Sequence, residues 1–164
     1  MRDPTHLAPY EAALAEVDPA PARALDLGTG TGQGAFAIAR RFPRTEVVGV
    51  DLADAMLVEA RRKTPPELAE RVQFETGDAS VLPFPDASFD LVAHANMIPF
   101  FDELARVLTP GGQAVFAFSL GPGTPIYVAP ERLRQQLARR GFTEFAEFAA
   151  GKGTAFLARK GTRP

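Results

Sequence analysis

The sequence predicts a doubly wound α/β fold on a mainly parallel sheet, and three observations lead to this prediction. Short apolar runs rich in β-branched residues alternate with segments of helical periodicity along the 164 residues, as in βαβ units. A glycine-rich turn follows the first apolar run and opens a helix. A Gly-Lys-Gly turn joins the last two runs into a hairpin, which makes the last strand antiparallel to its neighbour.

The strands are predicted where apolar and β-branched residues cluster between turn signals. They cover residues 23–27, 46–51, 72–76, 89–94 and 113–119, followed by the hairpin runs 142–148 and 154–160. Because the five leading runs are separated by helical segments, we expect them to lie parallel, with ligands bound beyond their carboxyl ends.

The helices are predicted where apolar residues recur at helical spacing beside a start or stop signal. They cover residues 32–41, a segment beginning near Asp54, and residues 100–108 and 131–140. Asp54 fits an N-terminal cap or first-turn acid, and Pro110-Gly111-Gly112 stops the third of these helices. Within residues 1–20 we expect one short helix at most, between Thr5 and Glu16.

The composition bounds the class of protein. An apolar fraction of 46% and a charged fraction of 23% predict one globular domain over residues 1–164, with a frayed tail at 161–164. The absence of cysteine excludes thiolate metal sites, and two histidines disfavour a dedicated metal centre.

No apolar run reaches the roughly 20 residues that a membrane span requires, so we expect a cytoplasmic protein without a membrane partner. The arginines of residues 131–140 fit a solvated helix face, which disfavours nucleic acid.

The glycine-rich turn, LDLGTGTG at residues 25–32, is the strongest candidate ligand site. Its alternate glycines Gly28, Gly30 and Gly32 permit backbone angles that a β-carbon forbids, and they let the backbone lie against a ligand. The free N–H groups at the start of the next helix favour a carboxylate or a phosphate. The turn alone therefore fits either a dinucleotide or S-adenosylmethionine.

Two residues favour S-adenosylmethionine. If the dinucleotide-binding motif is counted from Gly28, it requires Gly or Ala at position 33, and this sequence has Gln33. If the motif is counted from Gly30, Ala35 satisfies it, but the motif then no longer begins at the end of the strand. The carboxylate of Asp26 would repel a pyrophosphate, whereas it suits the ammonium of a methionine moiety. A nicotinamide-dependent oxidoreductase is the disfavoured alternative.

Two further acids follow the next strands. Asp51 ends the second strand. Its separation from the glycine turn along the chain is the one at which an acid reaches ribose hydroxyls in nucleotide-binding folds. Leu52 and Met56 lie one helical turn apart and offer an apolar surface for an adenine face. Asp78 follows the third strand, where it can accept a hydrogen bond from an adenine amino group. Each acid alone also fits a helix cap or a loop, but three at successive strand ends predict an adenosyl site.

These motifs resemble the class I S-adenosylmethionine-dependent methyltransferases, above all the branch of ubiquinone and menaquinone biosynthesis. The matching segments are LDLGTGTG (25–32), VDLADAML (50–57), GDA (77–79) with LPFPD (82–86), SFDLV (88–92) and RVLTPGG (106–112). The resemblance implies a Rossmann-like, three-layer αβα fold with a seven-stranded sheet ordered 3-2-1-4-5-7-6. It also implies in-line methyl transfer to a small-molecule acceptor.

The resemblance also assigns the cofactor-binding residues. Asp26 and the turn Gly28–Gly32, Thr29 included, would hold the methionine end, and Asp51 would hold the ribose. Asp78 and Ala79 would hold the adenine.

The acceptor side departs from the family. The segment after the fourth strand and the N-terminal segment are both short, and relatives commonly build the lid and the acceptor pocket from these regions. We therefore expect the acceptor, a homodimer or a partner subunit to complete the site. A module that binds the donor without activity of its own is the alternative function.

Few side chains are candidates for catalysis. His94 ends the fourth strand as a candidate base, or as a packed strand-end residue, and Asn96 is a candidate for orienting the acceptor. The side chain of Tyr10 either lies over the bound donor or serves only in the packing of the first helix.

Overall fold

The computed structural model describes residues 4–162 and contains one seven-stranded sheet. The strands are β1 (Arg23–Leu27), β2 (Glu46–Asp51), β3 (Val72–Thr76), β4 (Phe89–Ala95), β5 (Leu108–Phe118), β6 (Phe142–Ala150) and β7 (Gly153–Lys160). Their order is β3-β2-β1-β4-β5-β7-β6, with β1 to β5 parallel and β7 antiparallel to both neighbours. The predicted order and the antiparallel closing strand are confirmed.

Five helices cover the two faces of the sheet. They are α1 (Ala8–Leu14), α2 (Gln33–Arg41), α3 (Asp54–Lys63), α4 (Phe101–Val107) and α5 (Pro130–Ala138). The first three bury apolar side chains such as Leu14, Ile38 and Leu57 on one face, whereas α4 and α5 bury Leu104 and Leu137 on the other. The sheet therefore lies between two helical layers, as the resemblance implies.

Strand β5 begins earlier than the sequence predicts. It starts at Leu108 instead of residue 113, because the chain continues in extended form through the Pro-Gly-Gly sequence. The β4–β5 register shifts between the pairs at Phe89 and Leu91, and pairing with β7 begins only at Gln113. Pro110 thus lies in the part of β5 that precedes its pairing with β7, so its missing N–H does not interrupt that ladder.

The ends of the chain differ partly from expectation. Gly161, predicted to belong to a frayed tail, donates its N–H to the carbonyl of Gly141 at 2.8 Å and accepts the N–H of Gly111 at 3.1 Å. Residues 1–3 and 163–164 of the predicted terminal segments lie outside the described residues. Among residues 4–162, no helix combines the length and apolar character needed to cross a membrane. Over the same range, no His, Asp and Glu side chains converge to hold a metal ion.

Candidate functional site

A cavity of about 360 Å³ lies at the carboxyl ends of β1 and β4. Three parts of the chain surround it: the N-terminal segment, the glycine turn with the start of α2, and the end of β4. The lining residues are His6, Leu7, Tyr10, Asp26, Gly28, Thr29, Gly30, Gln33, Gly34, Ala95 and Asn96. This is the edge of the sheet at which the parallel order predicts ligand binding.

The glycine turn adopts the left-handed backbone geometry that its sequence predicts. Gly28, Gly30 and Gly32 have φ angles of 64°, 56° and 93°, in the left-handed region that side chains disfavour. The N–H of Thr29 donates to the carbonyl of Val50 at 3.0 Å, which ties the turn to β2. A β-carbon on Gly30 would have no heavy atom within 4 Å, so this part of the turn faces open space.

Asp26 is buried beside the cavity and is held from two helices. Its Oδ1 accepts a hydrogen bond of 2.6 Å from the hydroxyl of Tyr10 on α1. A β-carbon on Gly34 of α2 would lie 2.8 Å from either carboxylate oxygen, so the carboxylate needs a glycine there. Burial raises the pKa of Asp26 to about 6, although the Tyr10 hydrogen bond lowers it; the charge of Asp51 adds a smaller increase.

Asp51 secures the glycine turn from the end of β2. Its Oδ2 accepts the N–H of Gly30 and its Oδ1 accepts the N–H of Ala53, each at 2.9 Å. The carboxylate is therefore fixed beside the turn. Binding of ribose hydroxyls there would share or replace these hydrogen bonds.

The residues predicted for the adenine end lie next to Asp51 but outside the cavity. Leu52 and Met56 are 70% and 41% exposed, which leaves an apolar surface beside Asp51 open to a ligand. Asp78 is exposed, and its Oδ1 accepts hydrogen bonds from the N–H and hydroxyl of Ser80, which lower the pKa of Asp78. Ala79 is buried, so only its backbone can meet a ligand.

His94 does not line the cavity. Its imidazole is buried in the opposite layer, edge-on to Phe116 with ring centroids 4.9 Å apart. Neither ring nitrogen has a hydrogen-bond partner within residues 4–162, and burial lowers the pKa of His94 to about 4. Its position gives no support to the predicted role as a base, which stays a prediction.

Asn96 lines the cavity in a fixed conformation. Its φ angle is 55°, its N–H donates to the carbonyl of Ala117 at 2.8 Å, and its Oδ1 accepts the N–H of Ser119 at 2.9 Å. The side chain thus joins the ends of β4 and β5. Its amide oxygen accepts one hydrogen bond, so its second lone pair and the amide nitrogen are the groups that could meet an acceptor.

The sequence analysis singled out Tyr10 in the N-terminal segment but missed His6. His6 and Tyr10 are four residues apart, about one helical turn, and both line the cavity. The helical spacing of the two residues is visible in the sequence. Only the tertiary structure shows that both of them face the cavity. Beyond the cavity, Ile98, Phe100 and Leu120 are exposed after β4 and β5.

The fold and this edge define an α/β protein of the kind that binds adenosyl ligands. Residues 24–112 match the family model described as a methyltransferase domain, which covers more than half of the chain. The chain therefore belongs to the methyltransferase domain family.

Named relatives support this assignment. The chain is similar to the demethylmenaquinone methyltransferase of Deinococcus radiodurans, with 40% identity over 129 residues, 74% of this chain and 53% of that protein. It is 46% identical over 106 residues to the demethylmenaquinone methyltransferase of Thermus thermophilus, covering 60% of this chain and 48% of that protein. The chain thus spans about half the length of the curated relatives it matches.

A solved structure shares the fold. A chain of the complex between the Trm112 methyltransferase activator and a methyltransferase of Haloferax volcanii superposes with a TM-score of 0.79. The sequence identity is 19%, and the match covers 95% of this chain and 90% of that chain.

Proposed function

We propose that this chain transfers a methyl group from S-adenosylmethionine to a small-molecule acceptor. The observation that carries the proposal is the buried carboxylate of Asp26 beside an open glycine turn. An ammonium is the ligand group that such a carboxylate favours, because burial of an unpaired negative charge is costly.

The residues present fit the donor along its whole length. Asp26 would receive the ammonium and Asp51 the ribose hydroxyls. Leu52 and Met56 would pack on the adenine, and Asp78 with the backbone of Ala79 would meet its polar edge. When bound, S-adenosylmethionine supplies a methyl group that is already activated on a sulfonium. The chain has to position the acceptor and keep water away from it, and positioning contributes most of what such a reaction needs.

For the acceptor we propose a small apolar molecule of the quinone type. The matched relatives carry the name demethylmenaquinone methyltransferase. The exposed side chains of Ile98, Phe100 and Leu120 lie after β4 and β5 and offer an apolar rim. Asn96 is the polar group at the end of β4 that would orient the acceptor.

A second candidate is a donor-binding subunit that needs a partner for activity. The chain spans about half of its matched relatives, and the structural neighbour comes from a complex with an activator. The same apolar rim would then be covered by a second copy of the chain or by another subunit.

Thermal unfolding with added ligands tests the proposal. S-adenosylhomocysteine at 100 times its dissociation constant should stabilise the fold by about 2.7 kcal/mol, whereas NAD should give no comparable shift. A larger shift with NAD would contradict the donor assignment. Release of S-adenosylhomocysteine in the presence of demethylated quinones, with the chain alone, separates the enzyme from the dependent subunit.

A further inference from the structure

The Tyr10–Asp26 hydrogen bond is the shortest polar contact described for the donor cavity. It measures 2.6 Å, and the two side chains are 0% and 3% exposed. Tyr10 belongs to α1, which is packed on the sheet: a β-carbon on Gly153 of β7 would lie 2.9 Å from Pro9. The hydroxyl is therefore presented from a fixed helix rather than from a loose N-terminal arm.

The phenol keeps its proton in this environment. Burial and the neighbouring carboxylate raise the pKa of Tyr10 well above its ordinary value. Tyr10 therefore acts toward Asp26 only as a hydrogen-bond donor, and a donor of this kind favours the ionised carboxylate.

The other groups around Asp26 supply no fixed positive charge. Asp51 faces it from the end of β2 and adds a negative charge. Among the lining residues, α2 offers Gln33 and Gly34, the end of β4 offers Ala95 and Asn96, and the N-terminal segment adds His6 as the one titratable nitrogen. Three hydrogen-bond donors lower the pKa of Asp26: the hydroxyl of Tyr10, with the largest effect, the hydroxyl of Thr29 and the backbone N–H of Ala35. The hydroxyl of Tyr10 therefore does most to hold Asp26 ionised before a ligand arrives.

We propose that Tyr10 is a positioning residue for the donor: its hydroxyl fixes one oxygen of Asp26 and keeps the carboxylate ionised, so that the other oxygen receives the donor's ammonium. The inference rests on the proposed function. By this inference the N-terminal helix α1 contributes to the affinity for the donor, in addition to covering the cavity.

Replacing the two tyrosines in turn tests this assignment. Tyr10→Phe removes only the hydroxyl, and Tyr127→Phe is the matched control, because Tyr127 packs against Phe118 and does not line the donor cavity. The dissociation constant of S-adenosylhomocysteine would be measured by calorimetry from about pH 5 to about pH 8. We expect Tyr10→Phe to weaken binding about tenfold at neutral pH, the range for one hydrogen bond to a charged group. We expect Tyr127→Phe to match the wild type.

The pH profile separates positioning from packing. Wild-type affinity should fall below about pH 6, as Asp26 takes up a proton, and the midpoint should move upward in Tyr10→Phe. In an Asp26→Asn background the Tyr10→Phe change should have little further effect, because the two residues act as one unit. A Tyr10→Phe protein with wild-type affinity and a wild-type midpoint would overturn the inference.

The remaining outcomes are also decisive. If the wild type binds no S-adenosylhomocysteine at any pH, the proposed function fails and the inference fails with it. If Tyr10→Phe does not fold, a carboxyl NMR titration of wild-type Asp26 replaces it. The midpoint near 6 should then fall when S-adenosylhomocysteine is added, and an unchanged midpoint would refute the role of Asp26 and therefore of Tyr10.

Discussion

The sulfur of Met97 lies 2.9 Å from the position that a β-carbon on Gly28 would occupy. Met97 belongs to the segment after β4, and Gly28 opens the glycine turn after β1. A side chain at position 28 is therefore disfavoured by the φ angle of 64°, and it would also force the flexible side chain of Met97 to shift. The segment after β4 consequently sets the space above the turn, although it is not part of the glycine motif.

We expect Gly28→Ala to lower the free energy of unfolding by about 2–4 kcal/mol. The left-handed backbone accounts for about 1–2 kcal/mol, and the overlap with Met97 accounts for the rest. Gly141→Ala is the matched control, because Gly141 has a φ of 88° with no heavy atom within 4 Å of its β-position. In urea unfolding, equal losses in the two variants would contradict the contact, and Met97→Ala should restore part of the loss in Gly28→Ala.

Asp51→Asn should weaken binding of S-adenosylhomocysteine about tenfold or more and leave the protein folded. The neutral amide loses charge-assisted hydrogen bonds, each worth about 1.5–3 kcal/mol, both to the N–H of Gly30 and to ribose. Asp54→Asn serves as the control, since Asp54 starts α3 and accepts a hydrogen bond from Thr76. Calorimetry that shows equal affinity in the two variants would contradict the ribose assignment.

Two buried groups should give opposite pH dependences of stability. The pKa of His94 is lowered to about 4 in the folded state, so its contribution is present above about pH 6.5 and is lost as the pH falls toward 4. The pKa of Asp26 is raised to about 6, so its contribution is present below about pH 4 and is lost as the pH rises through 6. Between these limits the two effects oppose each other.

Replacing either group should reveal the pH dependence of stability that the other group causes. We expect His94→Leu to lose stability as the pH rises from about 4 to about 6, and Asp26→Asn to gain stability over the same range. Each full effect is about 3 kcal/mol in urea unfolding. Parallel pH profiles for the two variants would contradict the assigned burial effects.

The same His94→Leu variant tests the predicted base. A base contributes roughly 10²–10⁴-fold to a proton-coupled step. Since the imidazole is buried away from the cavity, we expect donor affinity to be unchanged. Turnover within about threefold of the wild type would remove His94 from the candidate bases, because loss of a base costs far more.

Arg106 should stabilise the loop that follows the adenine end of the site. Its guanidinium donates to Glu103 at 2.7 Å, to the carbonyl of Phe84 at 2.8 Å and to the carbonyl of Leu82 at 3.1 Å. Lysine cannot reproduce this fork, so we expect Arg106→Lys to cost about 1–2 kcal/mol in chemical unfolding. Arg62→Lys, at an exposed pair with Glu59, should cause no measurable change; equal effects would contradict the role of Arg106.

The glycine turn was predictable because its signals are local, whereas the order of the sheet was implied only by the resemblance. Alternating strands and helices, together with the resemblance, indicated the parallel core. Asp26 is the last residue but one of a β-run and Asp51 ends the next, and each run can be recognised from a few residues. The pairing of Asp26 with Tyr10 was not predictable, because the two residues are 16 positions apart and meet only through packing of α1.

The sequence could not decide between the two alternatives for His94, a base or a packed strand-end residue, for a specific reason. The sequence showed where β4 ends but not which face each side chain takes. In the β1–β4 register Asp26 is opposite Ala93, and Leu27 is opposite His94. The side chains of His94 and Asp26 therefore lie on opposite faces of the sheet. Side chains alternate along a strand, and a difference of one residue therefore moved the imidazole from the cavity to the opposite layer.

The contact of Pro9 with Gly153 has a consequence for the order in which the molecule becomes functional. The helix that carries Tyr10 precedes in the chain the strand on which it rests, by more than a hundred residues, and is therefore synthesised well before it. Chains emerge from the amino end at a few residues per second, roughly 5–20. A nascent chain that already displays the whole glycine turn therefore still lacks the support for Tyr10. The proposed donor site is therefore completed only when β7 has been synthesised and has paired with β5.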